Sequence, residues 1–471
     1  MQVIFSFDTE DYVDPVSNDS LLRLAQIHTR YGVPACFGLV GEKARFLRAC
    51  GRRDVIEAVG RHEVAYHSDH HFLFADETYE QKFLPEYMEV QPWDRGITRL
   101  LAEESRGIRD IAEIFGRRPA TWLRTFGDWA AHYSYTYSRL GLPIYAYGPR
   151  FHAQDCMPIW YCNQLAVANP RLMYEQNLHN EEMTPQEMLE EHKANFLKHL
   201  EGGTPRLGFV NHPTRFISDI WWETPNWWYE ILDPPPRAQW KVPPRFSPEK
   251  TESLLWIAEE FVRFVGELDD VEFLTFIDFL EPYGQQSSWV TRQDLSRLAS
   301  GLHDRPAYQT MDGQTFSPAE LFGAFAYALA EPEVQEIPVR QIIGPTEDPV
   351  ETPPGCSASE EAFVDACRCV ELGIRDRNRV PHAIEVGSAS VGPGGFLLAM
   401  ARALQGKGES DIDIPPAENL PVSLHEDDYD VIAGANPASY MQKQGEFDMP
   451  NARQRVRLQY WTVKPAARSQ A

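Results

Sequence analysis

The sequence predicts a parallel α/β sheet or barrel followed by a mostly helical C-terminal domain. Near the N-terminus, short apolar stretches alternate with amphipathic stretches of helical period, which is typical of parallel strands joined by helices. Beyond residue 288, helical segments are separated by turns. With 471 residues, of which 43% are apolar, the chain is long enough for two or three domains.

The first elements alternate between strand and helix. Strands are predicted over residues 3–7, 35–40 and 62–66, and helices over residues 19–31 and 54–59. Gly32-Val33-Pro34 ends the first helix, because glycine and proline both interrupt helices. Residues 272–280 are predicted as the last strand of this part and the start of a helix, and residues 284–288 as a linker.

Residues able to bind a metal follow the first and third of these strands. The acidic cluster Asp8-Thr9-Glu10-Asp11 comes after the first strand, and His67 and His71 come after the third. The carboxyl ends of parallel strands meet at one edge of a sheet. Histidines four residues apart share a face wherever the backbone makes one turn, and neutral imidazole is a common metal ligand. A surface turn and a pair of solvated histidines are the alternatives.

Composition restricts the partners of the protein. The chain has 44 Lys and Arg against 69 Asp and Glu, a formal net charge of −25, so nucleic acids and anionic membrane surfaces are poor partners. No apolar run approaches the length of a membrane span, and residues 1–7 lack the pattern of a secretory signal, so we expect a cytoplasmic protein that is not inserted in a membrane. Seven cysteines at irregular spacings do not suggest a disulfide framework.

Three segments resemble motifs of the polysaccharide deacetylases. They are Phe7-Asp8-Thr9-Glu10-Asp11, Tyr31-Gly32-Val33-Pro34-Ala35-Cys36-Phe37 and the stretch 62–71. This family, also called carbohydrate esterase family 4, carries the NodB homology domain, a distorted and incomplete (β/α) barrel. The resemblance covers residues 1–284 and implies a catalytic barrel there, which leaves residues 285–471 as an accessory domain.

The resemblance implies a metal site in the first and second motifs. The first motif of the family provides a catalytic base and a carboxylate ligand, which implies Asp8 as the base and Glu10 as the ligand. Asp11 is a second candidate ligand, because the adjacent Asp pair usual in the family is absent here. The second motif implies His67 and His71 as the other ligands. One divalent ion is expected; zinc suits these ligand types best, with iron, cobalt or manganese as alternatives.

Further motifs imply the remaining catalytic residues. Arg124, in Trp122-Leu123-Arg124-Thr125-Phe126-Gly127, matches the arginine that orients the base, although the usual proline is missing. His212, at the end of the apolar run 207–211, matches the histidine that acts as general acid. The aspartate that steadies this histidine in the family is not recognisable, and Asp155 is the nearest candidate.

A segment rich in Trp and Pro follows His212 and provides the candidate substrate-binding residues Trp221, Trp222 and Trp227. One interpretation is an aromatic lid that stacks on a sugar ring. The other is a set of aromatic side chains, braced by prolines, that packs over the mouth of the barrel.

A weak internal repeat is found in the C-terminal part. Residues 306–329 align with residues 381–404, and the predicted copies cover about 289–330 and 361–410, each with an extended piece, a turn and an amphipathic helix. In the first copy, Ser317 is the predicted N-cap and Pro318 the first helical residue. The pattern faintly resembles pseudomurein-binding repeats, which implies a glycan-directed domain. A helical scaffold or a dimerisation domain, which would make the protein a homo-oligomer, is the favoured interpretation.

The favoured function is metal-dependent hydrolysis of a C–N amide bond, with removal of the acetyl group from an N-acetylated sugar or glycan. One alternative is a hydrolase of small cyclic amides or ureides that uses the same site, which the lack of a secretory signal favours. Another is a non-catalytic carbohydrate-binding or scaffold protein on a decayed deacetylase barrel, which the altered third motif and the unrecognised fourth motif favour.

Overall fold

The computed structural model describes residues 1–71, 84–125, 130–147, 156–173, 175, 178–226, 235–284, 286–406, 411–422, 424 and 449–468. The chain divides into two units. The first comprises Met1–Met157, Val167–Leu280 and Asn436–Met449, and the second comprises Pro158–Ala166, Glu281–Ala435 and Pro450–Ala471. The sequence-based division at residue 284 stays a prediction about which part of the chain folds independently.

Short strands and longer helices alternate through the described residues. The strands are β1 (Gln2–Thr9), β2 (Ala35–Leu39), β3 (Glu63–Tyr66), β4 (Thr121–Leu123), β5 (Ile144–Ala146), β6 (Ile159–Tyr161), β7 (Gln164–Val167), β8 (Arg171–Leu172), β9 (Arg206–Asn211), β10 (Glu272–Phe273), β11 (Trp289–Thr291), β12 (Gln309–Met311), β13 (Gln314–Phe316), β14 (Glu336–Pro338), β15 (Ser357–Ser359), β16 (Ile384–Val386), β17 (Ala389–Val391), β18 (Asp411–Asp413) and β19 (Lys464–Pro465). The α-helices are α1 (Ser17–Tyr31), α2 (Gly41–Ala49), α3 (Arg53–Val59), α4 (Leu84–Val90), α5 (Trp93–Phe115), α6 (Ala131–Arg139), α7 (Pro185–Glu201), α8 (Pro248–Gly266), α9 (Leu280–Tyr283), α10 (Arg292–Ser300), α11 (Pro318–Ala330), α12 (Glu360–Arg377), α13 (Pro393–Leu404) and α14 (Pro450–Leu458).

A curled parallel sheet organises the first unit. Its strands follow the order β5-β4-β3-β2-β1-β9-β8, and each neighbouring pair is parallel. The two ends of this order approach each other, because the guanidinium of Arg171 on β8 lies 5.1 Å from the ring centroid of Tyr147, just after β5. Across the interior, Tyr147 Oη lies 2.6 Å from Ser6 Oγ on β1. The sheet is therefore an incomplete (β/α) barrel, which confirms the predicted fold.

The two faces of β1 differ because successive side chains of a strand point in opposite directions. Phe5 stacks on Phe209 of β9 at 4.7 Å, and Phe7 stacks on Phe37 of β2 at 5.0 Å. Each aromatic pair lies directly opposite in the strand register, the arrangement in which cross-strand pairs stabilise a sheet. Ser6 faces the barrel interior, and Asp8, two residues later on the same strand, lies on the same face.

The predicted end of the first helix is confirmed. α1 ends at Tyr31, and Gly32 follows with φ 66°, in the left-handed region. The backbone N–H of Gly32 donates to carbonyl oxygens of the last helical turn, as in the usual glycine cap. The chain then turns directly into β2.

The second unit contains the predicted internal repeat as two copies of one element order. The first copy runs β11, α10, the hairpin β12–β13, α11 and β14, and the second runs β15, α12, the hairpin β16–β17, α13 and β18. In each copy the first strand pairs with the last in antiparallel fashion. The described elements of the two copies lie between residues 289 and 338 and between residues 357 and 413.

The helices of the two copies share one hydrophobic core. The ring of Phe396 on α13 lies 6.1 Å from Phe322 on α11 and 5.0 Å from Phe363 on α12. Ser317 forms the capping box of α11, with Pro318 in the first turn, which confirms the predicted helix start. The role of this region stays a prediction. Within the described part of the chain, none of the helices combines the length and the hydropathy needed to cross a bilayer.

Candidate metal centre

The register of three neighbouring strands places the candidate ligands at one edge of the sheet. Thr9 of β1 lies opposite Leu39 of β2, and Leu39 lies opposite Tyr66 of β3. Glu10 and His67 are the next residues after Thr9 and Tyr66, so both leave the sheet at the same level. Glu10 and His67, which are more than fifty residues apart in the chain, are thereby brought to the same edge of the sheet.

Glu10, His67 and His71 form a buried cluster. Glu10 Oε2 lies 2.8 Å from His71 Nε2 and 3.4 Å from His67 Nε2, and one ligand atom from each residue lies within 4.8 Å of the others. Two imidazole nitrogens and one carboxylate oxygen form a donor set used by zinc enzymes, in which a further coordination position stays open. The three side chains therefore fit a divalent ion.

The loop that carries the two histidines has an unusual backbone. Ser68 has φ 67° and His71 has φ 53°, a region that non-glycine residues adopt at a cost and mostly where function or packing holds them. The backbone N of His71 donates to Ser68 Oγ at 2.9 Å. Asp69 lies 2.8 Å from the guanidinium of Arg45, and His70 lies 3.1 Å from both Asp69 and Glu42. These contacts hold the loop in shape.

Each candidate ligand also has a contact on the side that faces away from the cluster. His67 Nδ1 lies 3.0 Å from the backbone O of Leu123. His71 Nδ1 lies 3.0 Å from Glu223 Oε1, and Trp222 Nε1 donates to Glu10 Oε1 at 3.1 Å. Glu223 is buried and belongs to none of the motifs found in the sequence.

The cluster carries strong electrostatic coupling. Burial works against ionisation of Glu10, but the charge of His71 and hydrogen bonds from His67 and His71 bring the pKa of Glu10 well below its ordinary value. Burial likewise works to lower the pKa of His71, yet Glu10 and Glu223 raise it to about 10. Burial and the charge of Glu10 raise the pKa of Glu223 to about 7. The carboxylates of Glu10 and Glu223 therefore favour a positive charge on His71.

Asp8 and His212 lie together beside the cluster. Phe7 of β1 is opposite Asn211 of β9, and the next residues, Asp8 and His212, come within 3.5 Å through Oδ2 and Nε2. Asp8 Oδ1 is buried and has no hydrogen-bond partner among the described residues. The structure thus brings together the predicted base and the predicted acid.

Glu175 occupies the position for which the sequence offered Asp155. Glu175 Oε1 lies 2.7 Å from His212 Nδ1, and Glu175 Oε2 accepts the backbone N–H of His212. Both side chains are buried. Asp155 lies outside the described residues. A carboxylate on Nδ1 orients the ring of His212 and directs Nε2 toward Asp8.

Arg124 is the residue predicted to orient the base. It directly follows β4 and is partly buried. In the part of the chain that the structure describes, no ion pair joins its guanidinium to Asp8. Orientation of the Asp8 carboxylate by Arg124 therefore stays a proposal.

Asp11 points away from the histidines and holds the chain between β1 and α1. Its Oδ1 accepts the backbone N–H groups of Val13 and Asp14, both at 2.9 Å, and its Oδ2 accepts the hydroxyl of Thr214. Burial raises the pKa of Asp11. Of the two carboxylates that the sequence left open as ligand, the geometry favours Glu10.

We expect Asp11→Ala to lower stability without removing a bound metal. The change leaves the backbone N–H groups of Val13 and Asp14 without their acceptor, which costs about 2 kcal/mol or more. Glu10→Gln, the matched variant, is expected to lose metal and keep most of its stability. Chemical denaturation and elemental analysis of both purified variants measure this. Loss of metal from a folded Asp11→Ala protein would make Asp11 the ligand.

The three candidate substrate-binding tryptophans have different positions. Trp222 is fully buried, so no face of its ring is free to stack on a sugar, and its indole N–H instead contacts Glu10. Trp221 is partly buried; its ring packs edge-on against His212 with centroids 4.6 Å apart, and the guanidinium of Arg215 lies 4.9 Å from its centroid. Trp227 lies outside the described residues. Of the two candidate tryptophans that the structure describes, Trp221 is the one whose ring contacts His212.

The chain is similar to a set of solved structures at low sequence identity. No protein-family model matches the sequence, and no curated protein sequence matches it. Polysaccharide deacetylases are among the solved structures that match. A structure from Mycobacterium smegmatis that carries this name is 17% identical, with 59% of this chain and 88% of that chain covered and a TM-score of 0.34.

Two further solved structures match at similar coverage of this chain. The Puue allantoinase is 13% identical over 59% of this chain and 88% of its own, with a TM-score of 0.35. The 4-alpha-glucanotransferase from Thermococcus litoralis is 9% identical over 59% of this chain, which spans 40% of the glucanotransferase, with a TM-score of 0.39.

Proposed function

We propose that the protein is a metal-dependent hydrolase of a C–N amide bond. The observation that carries this proposal is the convergence of Glu10, His67 and His71 beside the pair Asp8 and His212 at one edge of the sheet. The first three would hold one divalent ion, for which zinc suits the donor atoms. Such an ion lowers the pKa of a water molecule and polarises an acyl carbonyl.

Asp8 is proposed as the general base. Its Oδ1 is buried and accepts no hydrogen bond among the described residues, which leaves an oxygen available for the proton of an attacking water. Its Oδ2 lies 3.5 Å from His212 Nε2, so the proposed base and the proposed acid face each other. A base must be ionised at the operating pH to accept a proton.

His212 is proposed as the general acid that protonates the leaving amine. An amine leaves as a neutral molecule only if it gains a proton when the C–N bond breaks. Glu175 on Nδ1 keeps the ring protonated and oriented, so the proton on Nε2 points toward the side of Asp8. The carboxylate thereby positions the acid without contacting the substrate itself.

An N-acetylated sugar is the proposed substrate class. Trp221 packs against His212, so an apolar ring lies beside the reacting groups, and aromatic rings bind the apolar faces of sugars. The alternative substrate class consists of cyclic amides or ureides, which the same base, acid and metal would hydrolyse.

We expect the zinc-loaded full-length protein to release acetate from N-acetylated sugars or their oligomers, measured by an enzymatic acetate assay. A parallel panel of five- and six-membered cyclic ureides, assayed for ring opening, tests the alternative. Asp8→Asn, which keeps the side-chain shape, is the matched control and is expected to lower the rate roughly a hundred-fold or more. Turnover of ureides alone would replace the proposed substrate class. No turnover of either panel by a protein that binds zinc would contradict the proposed hydrolase.

A further inference from the structure

Two consecutive residues, Trp222 and Glu223, contact two different candidate ligands from outside the cluster. Trp222 Nε1 donates to Glu10 Oε1 at 3.1 Å, and Glu223 Oε1 lies 3.0 Å from His71 Nδ1. The remaining oxygen of Glu10, Oε2, and the remaining nitrogen of His71, Nε2, face the inside of the cluster, where they lie 2.8 Å apart. Both outer residues are buried, with exposed fractions of 0% for Trp222 and 2% for Glu223.

These outer contacts determine which atom of each ligand points inward. An imidazole binds a metal through one nitrogen only, and the hydrogen bond of the other nitrogen sets the tautomer and the ring orientation. The carboxylate of Glu223 faces Nδ1 of His71, so Nε2, which faces inward, is the nitrogen that would bind the ion. The indole N–H on Oε1 of Glu10 similarly prevents the carboxylate from turning.

His67 differs from the other two ligands in the origin of its outer contact. Its Nδ1 is held by a main-chain atom, the carbonyl O of Leu123 on β4, at 3.0 Å. Glu10 and His71 have side-chain contacts at the corresponding positions, and both come from residues 222–223. One short segment therefore completes the outer contacts of the cluster.

The segment that carries both residues is itself firmly held. The backbone N of Asn226 donates to Glu223 O at 2.8 Å, and the Asn226 side chain bonds to Trp222 O and to both the N and O of Lys241. The ring of Tyr12 packs edge-on against Trp222 at 4.8 Å. A fixed backbone lets the two side chains act as rigid supports rather than as mobile contacts.

We propose that Trp222 and Glu223 are positioning residues of the metal centre, with Trp222 fixing the carboxylate of Glu10 and Glu223 fixing the tautomer and orientation of His71. This inference rests on the proposed metal site. It assigns to the segment after His212 a role in ion affinity in addition to any contact with substrate.

Zinc affinity of the purified full-length protein, measured by competition with a chromophoric chelator, tests the inference. Glu223→Gln keeps the shape and an acceptor oxygen but loses the charge, and Trp222→Phe keeps a ring but loses the N–H donor. Loss of such an outer partner typically weakens metal binding about 10- to 100-fold, so we expect a Kd raised roughly 10-fold in each variant and more in the double variant. The absorption spectrum of the cobalt-loaded protein is expected to change as well, because the ligand geometry changes.

Matched controls separate a positioning role from general stability. Glu63 is a partly buried glutamate at the start of β3, at the opposite end of the strand, where it accepts hydrogen bonds from Thr121 and from the backbone N of Phe276. Glu63→Gln and Trp256→Phe on α8 are expected to leave the zinc Kd unchanged even if they lower the melting temperature.

The outcomes distinguish this inference from the proposed function. Folded Trp222→Phe and Glu223→Gln proteins with the zinc Kd and cobalt spectrum of the wild type would overturn the positioning role while leaving the metal site in place. A wild-type protein that binds no zinc would overturn the metal site itself. Weaker zinc binding in both variants, with unchanged controls, would support the inference.

Discussion

Replacement of His212 by glutamine is expected to lower kcat by roughly a hundred- to ten-thousand-fold while the metal content stays unchanged. Proton donation to the leaving amine acts in the transition state, so kcat and kcat/KM should fall together. His212 lies 3.5 Å from Asp8 and does not contact the three candidate ligands within ion-pair distance. Single-turnover and steady-state rates, with elemental analysis of the same samples, measure this.

The pH dependence of the rate should identify His212 as the acid. Burial works to lower the pKa of His212, but the charge and hydrogen bond of Glu175, together with Glu10 and Asp8, raise it to about 10. The imidazolium, which the proposed acid role requires, is thus lost only as the pH rises through this raised pKa, so the alkaline limb should lie above neutral pH.

Glu175→Gln is the companion variant for this limb. It removes the charge that raises the pKa of His212 and keeps a hydrogen-bond acceptor near Nδ1. The alkaline limb should therefore move to lower pH. A rate and an alkaline limb that stay unchanged in both His212→Gln and Glu175→Gln would show that His212 is a structural residue, and loss of metal from His212→Gln would show that it is a ligand.

The proximity of the inner residues of the candidate site could be expected from the sequence. Glu10, His67 and His212 each follow a strand directly, and parallel strands end at one edge of a sheet. Once strands are recognised from apolar stretches, the residues after them are placed together without further information. The choice between Glu10 and Asp11 needed the structure, because it depends on which carboxylate the following turn uses for its own backbone N–H groups.

The outer residues of the site could not be predicted from spacing. Glu175 and Glu223 lie outside the regular elements of the sheet, and their contacts with His212 and His71 depend on the path of long connections. A buried glutamate in such a connection has no periodic pattern. The one available signal was an acidic residue directly after the tryptophan pair that follows His212, and it is too short to be specific.

In the repeat of the C-terminal part, the long helices were predictable from the sequence and the short strands were not. The helices α11 and α13 were found because their apolar residues and prolines align over a dozen positions. The strands of the hairpins are three residues long, too short for an alternating pattern to be visible. The helices therefore carry the sequence signal of the repeat, and the short strands do not.

The central claim is that Glu10, His67 and His71 hold one divalent ion, and metal analysis of His67→Ala,His71→Ala tests it most directly. The protein is loaded with zinc, passed through a desalting column and measured by mass spectrometry, with circular dichroism to verify folding. His199→Ala,His382→Ala, in which both histidines lie outside the cluster, is the control.

We predict about one zinc ion per chain in the wild type and in the control, and background zinc with no hydrolysis in the His67→Ala,His71→Ala protein, because a single carboxylate cannot retain the ion. Full zinc occupancy in the folded His67→Ala,His71→Ala protein would contradict the claim.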